Sequence, residues 1–151
     1  MIVAVRSDEK LVHGQILNAW KDKFNPTHLL VVDDDLQIDT FVQNVYLSLV
    51  PLGLVTIFSS INNSKKIIEE LEEKNVRILL LVKTPVTALK LLKEGIEYDE
   101  LLLADKKYIA KKIEILEVYK RAINELIDLN IKVNYQYIPD NNKIEISKYV
   151  L

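Results

Sequence analysis

Residues 76–82 read Val-Arg-Ile-Leu-Leu-Leu-Val, apolar at every position but Arg77. A run this short and this continuous is a strand with both faces covered, because a half-exposed strand would alternate. It constrains the rest of the chain strongly, since a sheet covered on both sides needs helices to cover it. The sequence supplies both. Short runs rich in β-branched and apolar residues fall at 1–5, 27–32, 54–58 and 100–103. Longer amphipathic segments lie between them, at 12–23, from Asp39 to about Val50, from about Asn63 to Lys74, from Pro85 to Gly95, and at 116–129. Asp39 is placed to cap the second of these helices, and Asn63 or Ser64 the third. Residues 131–138 alternate and predict a sixth strand. Residues 104–115 fit either a loop with a short strand or an early start of the last long helix. The tail after Pro139 predicts a short helix. This β-α rhythm predicts an α/β fold, a three-layer sandwich with an open, mainly parallel sheet covered by helices on both faces.

The 151 residues, 49% of them hydrophobic, suit one domain over 1–151 with its own core. Three glycines and four prolines leave little for linkers. Without cysteine, disulfides, thiolate catalysis and cysteine-ligated metals are excluded. The start lacks the pattern of a signal peptide, and no apolar run approaches the roughly 20 residues that span a bilayer. A cytoplasmic protein is expected. The net charge of −2 gives no reason to expect nucleic acid. No phosphate-binding glycine motif appears, and His13 and His28 alone cannot complete a standard zinc site. Neither an organic cofactor nor a metal is expected.

In parallel sheets, ligands collect beyond the carboxyl ends of the strands. The loop after the first strand carries Arg6-Ser7-Asp8-Glu9-Lys10-Leu11-Val12-His13-Gly14-Gln15, the densest group of chemically useful residues in the chain. His13 falls near a helix N-terminus, where unpaired N–H groups and the helix dipole favour an anion such as phosphate. A neutral imidazole is a nucleophile near neutral pH. Arg6 or Lys10 would neutralise phosphoryl oxygens, Asp8 would hold the second ring nitrogen, and Gly14 would let a phosphate approach the backbone. Ser59 and Ser60, after the third strand, offer hydroxyls to a phosphoryl group or serve as caps. Asp33, Asp34 and Asp35 suggest a hard-cation site, a frame for the histidine, a partner contact or a helix cap. His28 falls at the opposite end of the sheet and reads as structural. Lys106 to Lys112 reads as an exposed basic stretch.

The segment Arg6 to Gln15 resembles the signature of the IIB component of the mannose/fructose/sorbose family of the bacterial sugar phosphotransferase system. Arg6, Asp8, Leu11, Val12, His13, Gly14 and Gln15 match it. Leu30 to Asp34, Val50 to Leu54 and Leu79 to Pro85 resemble later parts of the same family in the same order, and Trp20 falls where the family often has an aromatic. The resemblance implies an enzyme, a protein-histidine sugar phosphotransferase. Such a phosphocarrier accepts a phosphoryl group on His13 from a IIA partner. It then passes the group to a sugar at a membrane IIC/IID transporter, with self-association as a homodimer compatible with that role. Arg6, Asp8, Lys10, Gly14, Gln15 and Ser59 are the expected supporting residues. Two departures stand out. Lys10 replaces an arginine, keeping the charge but losing the planar fork. The loop Ala104 to Lys107 lacks the Gly-Gly turn that is common there. These departures suit the alternative, a divergent non-catalytic binding or regulatory module with the IIB fold.

Overall fold

A computed structural model describes residues 1–110 and 112–151. Its elements alternate from the start: β1 (Ile2–Ser7), α1 (Gly14–Phe24), β2 (His28–Val32), α2 (Asp34–Gln37), α3 (Thr40–Leu47), β3 (Val55–Ser59), α4 (Ile61–Glu72), β4 (Ile78–Val82), α5 (Pro85–Lys93), β5 (Glu100–Leu103), a 3₁₀ turn (Lys106–Tyr108), α6 (Glu117–Asp128), β6 (Lys132–Tyr135) and β7 (Ile144–Glu145). The sheet order is β3-β2-β4-β1-β5-β6-β7. Among the described residues six strands run parallel, and only β7 pairs antiparallel, with β6.

Every residue of β4 is fully buried, because the strand lies inside the sheet with side chains feeding two cores. Ile78, Leu80 and Val82 join Leu30, Val32, Leu101 and Leu103 on one face, under Ile68 of α4, Leu91 of α5 and Ile123 of α6. Leu79 and Leu81 join Leu29, Val31 and Leu102 on the other, under Leu17 and Trp20 of α1 and Leu36 of α2. This division by period two gives the three layers that the continuous apolar strands predict. The helices that carry the chain toward β3 cover one face, and those that carry it back cover the other, as one crossover hand requires.

Three expectations need correction. The tail after Pro139 forms no helix. It turns through Asn141 and returns as β7, because the Gln136 side chain donates to the carbonyls of Pro139 (3.3 Å) and Asn141 (2.9 Å) and holds the turn. Among the described residues of 104–115 there is neither a strand nor an early helix, only the 3₁₀ turn. Helix α4 begins at Ile61, before Asn63, with Ser60 as its cap through the Asn63 N–H at 3.2 Å. The single turn of α2 also stands where the sequence reading has a loop.

Candidate active site

β1 leaves the sheet between two neighbours that hold its end. The Asp8 N–H donates to the Val82 carbonyl of β4, and the Ala104 N–H donates to the Ser7 carbonyl, both at 2.9 Å. The chain from β1 then departs to one face while those from β4 and β5 depart to the other. A crevice at such a reversal is where α/β sheets place ligands.

Asp8 organises the loop that follows. Its Oδ1 accepts the Lys10 N–H at 2.9 Å, and its carbonyl accepts the Leu11 N–H at 2.9 Å. Leu11 is left-handed, with φ +57°, a conformation that costs a non-glycine residue about 1–2 kcal/mol. Burial of its side chain in the core beneath α1 holds it there. The kink delivers His13 to the first turn of α1 in an extended conformation. The first intrahelical bond runs from the Leu17 N–H to the His13 carbonyl at 2.8 Å. The N–H groups of Gly14, Gln15 and Ile16 precede it, and no side chain caps them. Open backbone donors at a helix start suit an anion, and these lie beside the imidazole.

His13 keeps about a quarter of its side chain exposed, and its Nε2 stands 3.7 Å from Asp8 Oδ1. The other Asp8 oxygen faces Arg6 Nη2, also at 3.7 Å. Arg6 is 1% exposed. It donates through Nη1 to the Gln136 carbonyl at 2.9 Å, and its guanidinium lies 4.9 Å from the Trp20 ring centroid. Burial lowers its pKa to about 10, against the opposing pull of Asp8 and Asp105, so it stays cationic at neutral pH. The structure therefore places Arg6 behind Asp8, out of direct reach of an incoming ligand. Lys10 is exposed beside the same loop, and Gln15 is exposed in the first turn of α1. Gly14 has a packing reason to be glycine. A Cβ there would meet the Leu49 carbonyl at 3.0 Å, so it allows the segment after α3 to close against α1.

The loop after β5 completes one wall. Asp105 Oδ2 accepts the Glu9 N–H at 3.4 Å, while the Glu9 carboxylate pairs with Lys107 Nζ. Lys107 also lies over the rings of Tyr119 (4.8 Å) and Tyr108 (5.6 Å). It is thus committed to bracing the loop, whereas Lys106 is exposed. Lys111, within the basic stretch, lies outside the described residues. Burial pushes Asp105 up to about 6, helped by the nearby carboxylates of Asp8 and Glu9 and opposed by the Glu9 N–H and Lys107. The sequence reading missed Asp105, Glu9 and Gln136. The position of Asp105 immediately beyond a parallel strand was the available signal.

Other candidates lie apart. Ser59 ends the edge strand β3, three strands from β1, about 14 Å at the usual spacing. Its buried hydroxyl donates to the Ser60 carbonyl at 2.7 Å, so the structure does not bring it to His13. Asp33 caps α2 through the Leu36 N–H at 2.9 Å, and Asp34 accepts the Ile61 N–H at 2.8 Å. Asp39 caps α3 through the Val42 N–H at 3.1 Å. Capping thus accounts for much of the acidic cluster, and no group of three or more His, Cys, Asp or Glu suited to a metal ion occurs among the described residues. His28 opens β2 at the far end of the sheet, with Nδ1 2.8 Å from Thr27 Oγ1.

The family model for the sorbose subfamily IIB component of the phosphotransferase system matches residues 2–151. The chain belongs to that IIB family. The IIB chain is 26% identical over 155 residues to the N-acetylgalactosamine-specific phosphotransferase enzyme IIB component 2 of Escherichia coli, covering 97% of each chain. It is 23% identical over 146 residues to the fructose-specific EIIB component of Bacillus subtilis, covering 93% of this chain and 90% of that one. Its fold superposes on the IIB domain of the sorbose permease of Klebsiella pneumoniae with a TM-score of 0.86 at 18% identity, covering 97% and 93% of the two chains. An N-acetylgalactosamine IIB component from Streptococcus pyogenes superposes with a TM-score of 0.81 at 24% identity, covering 99% and 97%. These likenesses give this IIB chain the same α/β architecture and a phosphoryl-transfer role in sugar uptake. No helix among the described residues is long and apolar enough to cross a membrane.

Proposed function

We propose that this IIB chain carries a phosphoryl group on His13, taking it from a IIA partner and giving it to a sugar at a IIC/IID transporter on the cytoplasmic side of the membrane. The observation that supports this most directly is the line Arg6–Asp8–His13 ending at the uncapped start of α1. Asp8 faces Nε2, so a proton held there points at a carboxylate and leaves the Nδ1 lone pair free. That nitrogen attacks phosphorus. The P–N bond to the donor histidine breaks in line, and its electron pair returns to the donor ring. The N–H groups of Gly14 and Gln15, with the exposed Lys10, would receive the phosphoryl oxygens. Arg6 would act through Asp8, and Ser59 would shape the edge of the sheet. Positioning and charge neutralisation carry such a step, with no metal or organic cofactor in it.

The test is to incubate the chain with phosphorylated IIA and measure acid-labile phosphate on the protein. Wild type should label and His13→Ala should not. Equal labelling of both, or none of wild type, refutes the reading.

A further inference from the structure

The region from Phe24 to Ser64 contains no lysine or arginine but four aspartates, Asp33, Asp34, Asp35 and Asp39. It also holds a concentration of exposed apolar side chains: Leu52 is 92% exposed, Ile38 79% and Phe41 76%, with Val45 and Leu49 near half. Phe41 and Val45 lie on α3, which has no fully buried residue, while Ile38 precedes that helix and Leu49 and Leu52 follow it. Two stripes run along α3. Val42 and Tyr46 turn inward against the core beneath α1. Phe41 and Val45, four apart, turn outward, and Ile38 just before the helix is exposed as well. Scattered surface apolars need no explanation, but a contiguous group rimmed by charge marks a contact surface.

The patch adjoins the histidine. The Leu49 carbonyl lies against Gly14, next in the chain to His13. Val42 and Tyr46 line a cavity of about 130 Å³ together with Leu11, Asp33, Asp35, Asp39 and Lys83. A partner that covers α3 would therefore reach the mouth of the phosphoryl site.

We propose that this patch docks the cytoplasmic face of the membrane transporter that receives the phosphoryl group, a protein surface with an apolar centre and a basic rim. The inference rests on the carrier reading above. Charge selects the occupant. A second copy of the chain would set four aspartates against four, in a stretch with no lysine or arginine of its own. An anionic bilayer is repelled for the same reason. The cytoplasmic loops of membrane proteins carry an excess of lysine and arginine, which complements the aspartate rim. Phe41 and Leu52 would supply the apolar anchors, and the aspartates the encounter rate and its salt dependence.

The experiment compares wild type, Phe41→Ser/Leu52→Ser and Asp35→Asn for binding to the cognate IIC/IID transporter in nanodiscs. Labelling by phosphorylated IIA is measured in parallel, and circular dichroism confirms that each variant is folded. The double variant should bind at least tenfold more weakly, with labelling by IIA unchanged. Asp35→Asn should associate more slowly at low salt, with the difference fading as salt rises. Failure of wild type to bind, equal binding of the double variant, or equal binding to empty anionic nanodiscs overturns the proposal. So does loss of labelling by IIA in the double variant, which assigns the patch to the donor. A wild-type dimer in sedimentation that the double variant abolishes assigns it to a second copy. Binding is read without phosphate, so a wild type that binds the transporter but never labels refutes only the carrier reading.

Discussion

Helices α1 and α3 cover the same face of the sheet, and the segment after α3 closes against α1 where Gly14 meets Leu49, yet the two are built to opposite plans. α1 is anchored by Leu17 and by Trp20, which is fully buried, and its N-terminus is left without a side-chain cap. α3 is capped by Asp39 and buries no residue completely. One helix is firmly seated with its backbone donors left open for a ligand. The other has its donors satisfied and its apolar side chains left open for a partner. On the two proposals above, the difference would separate a place for chemistry from a place for contact within one layer.

Four measurements break or sharpen that contrast. Trp20→Ala should destabilise the fold by about 3–5 kcal/mol in urea titrations, since it empties a large core site. Phe41→Ala should stay within about 0.5 kcal/mol of wild type, as exposed substitutions do. Comparable losses at the two positions would erase the contrast. Asp8→Asn keeps the shape but removes the charge facing Nε2, and should slow labelling of His13 about 100-fold. The caps should respond in opposite directions. Asp39→Ala should cost about 1 kcal/mol, whereas His13→Ser should stabilise α1 by a similar amount while ending phosphoryl transfer. Thermal melts of the pair show whether α1 gives up stability for its open donors.

The smallest effect is electrostatic. Asp105 titrates at about 6 in the folded chain, above its ordinary 3.8, so the native state binds this proton more tightly than the unfolded state. The stability it contributes is present below pH 4 and is lost as pH rises to about 6. Asp105→Asn cannot ionise. Its stability relative to wild type should rise across that window by about 1 kcal/mol and level off above it. A flat difference from pH 4 to 7 would show that Lys107 and the Glu9 N–H fully offset the burial of this carboxylate.

The sheet was legible because its strands are continuous apolar runs and its helices are amphipathic, so period alone separates them. Glu100–Leu103 matches to the residue, and Asp39 caps the helix it was expected to cap. The tail was illegible because its fold depends on the Gln136 side chain closing a turn, a contact that no local pattern encodes. The loop of the site was legible from composition and position, and Asp8 does face the imidazole. The depth of each residue was not. Arg6 reads as a cation set to neutralise phosphoryl oxygens until alternation along β1 places it against Trp20. Ser59 reads as a neighbour of His13 until the strand order places β2 and β4 between β3 and β1. Asp105 is not legible because its loop reads through its lysines and its lack of glycine, while its partner is a backbone N–H ninety-six residues away.

The arrangement behind His13 has an optical consequence. The chain has one tryptophan, and it lies fully buried with the Arg6 guanidinium over its ring. Arg6 faces Asp8, and Asp8 faces the imidazole. If His13 carries the phosphoryl group as proposed, its arrival would bring negative charge to the end of this line and change the field at the indole. The emission of a single native chromophore would then be a gauge of loaded against empty carrier, readable in real time without any label.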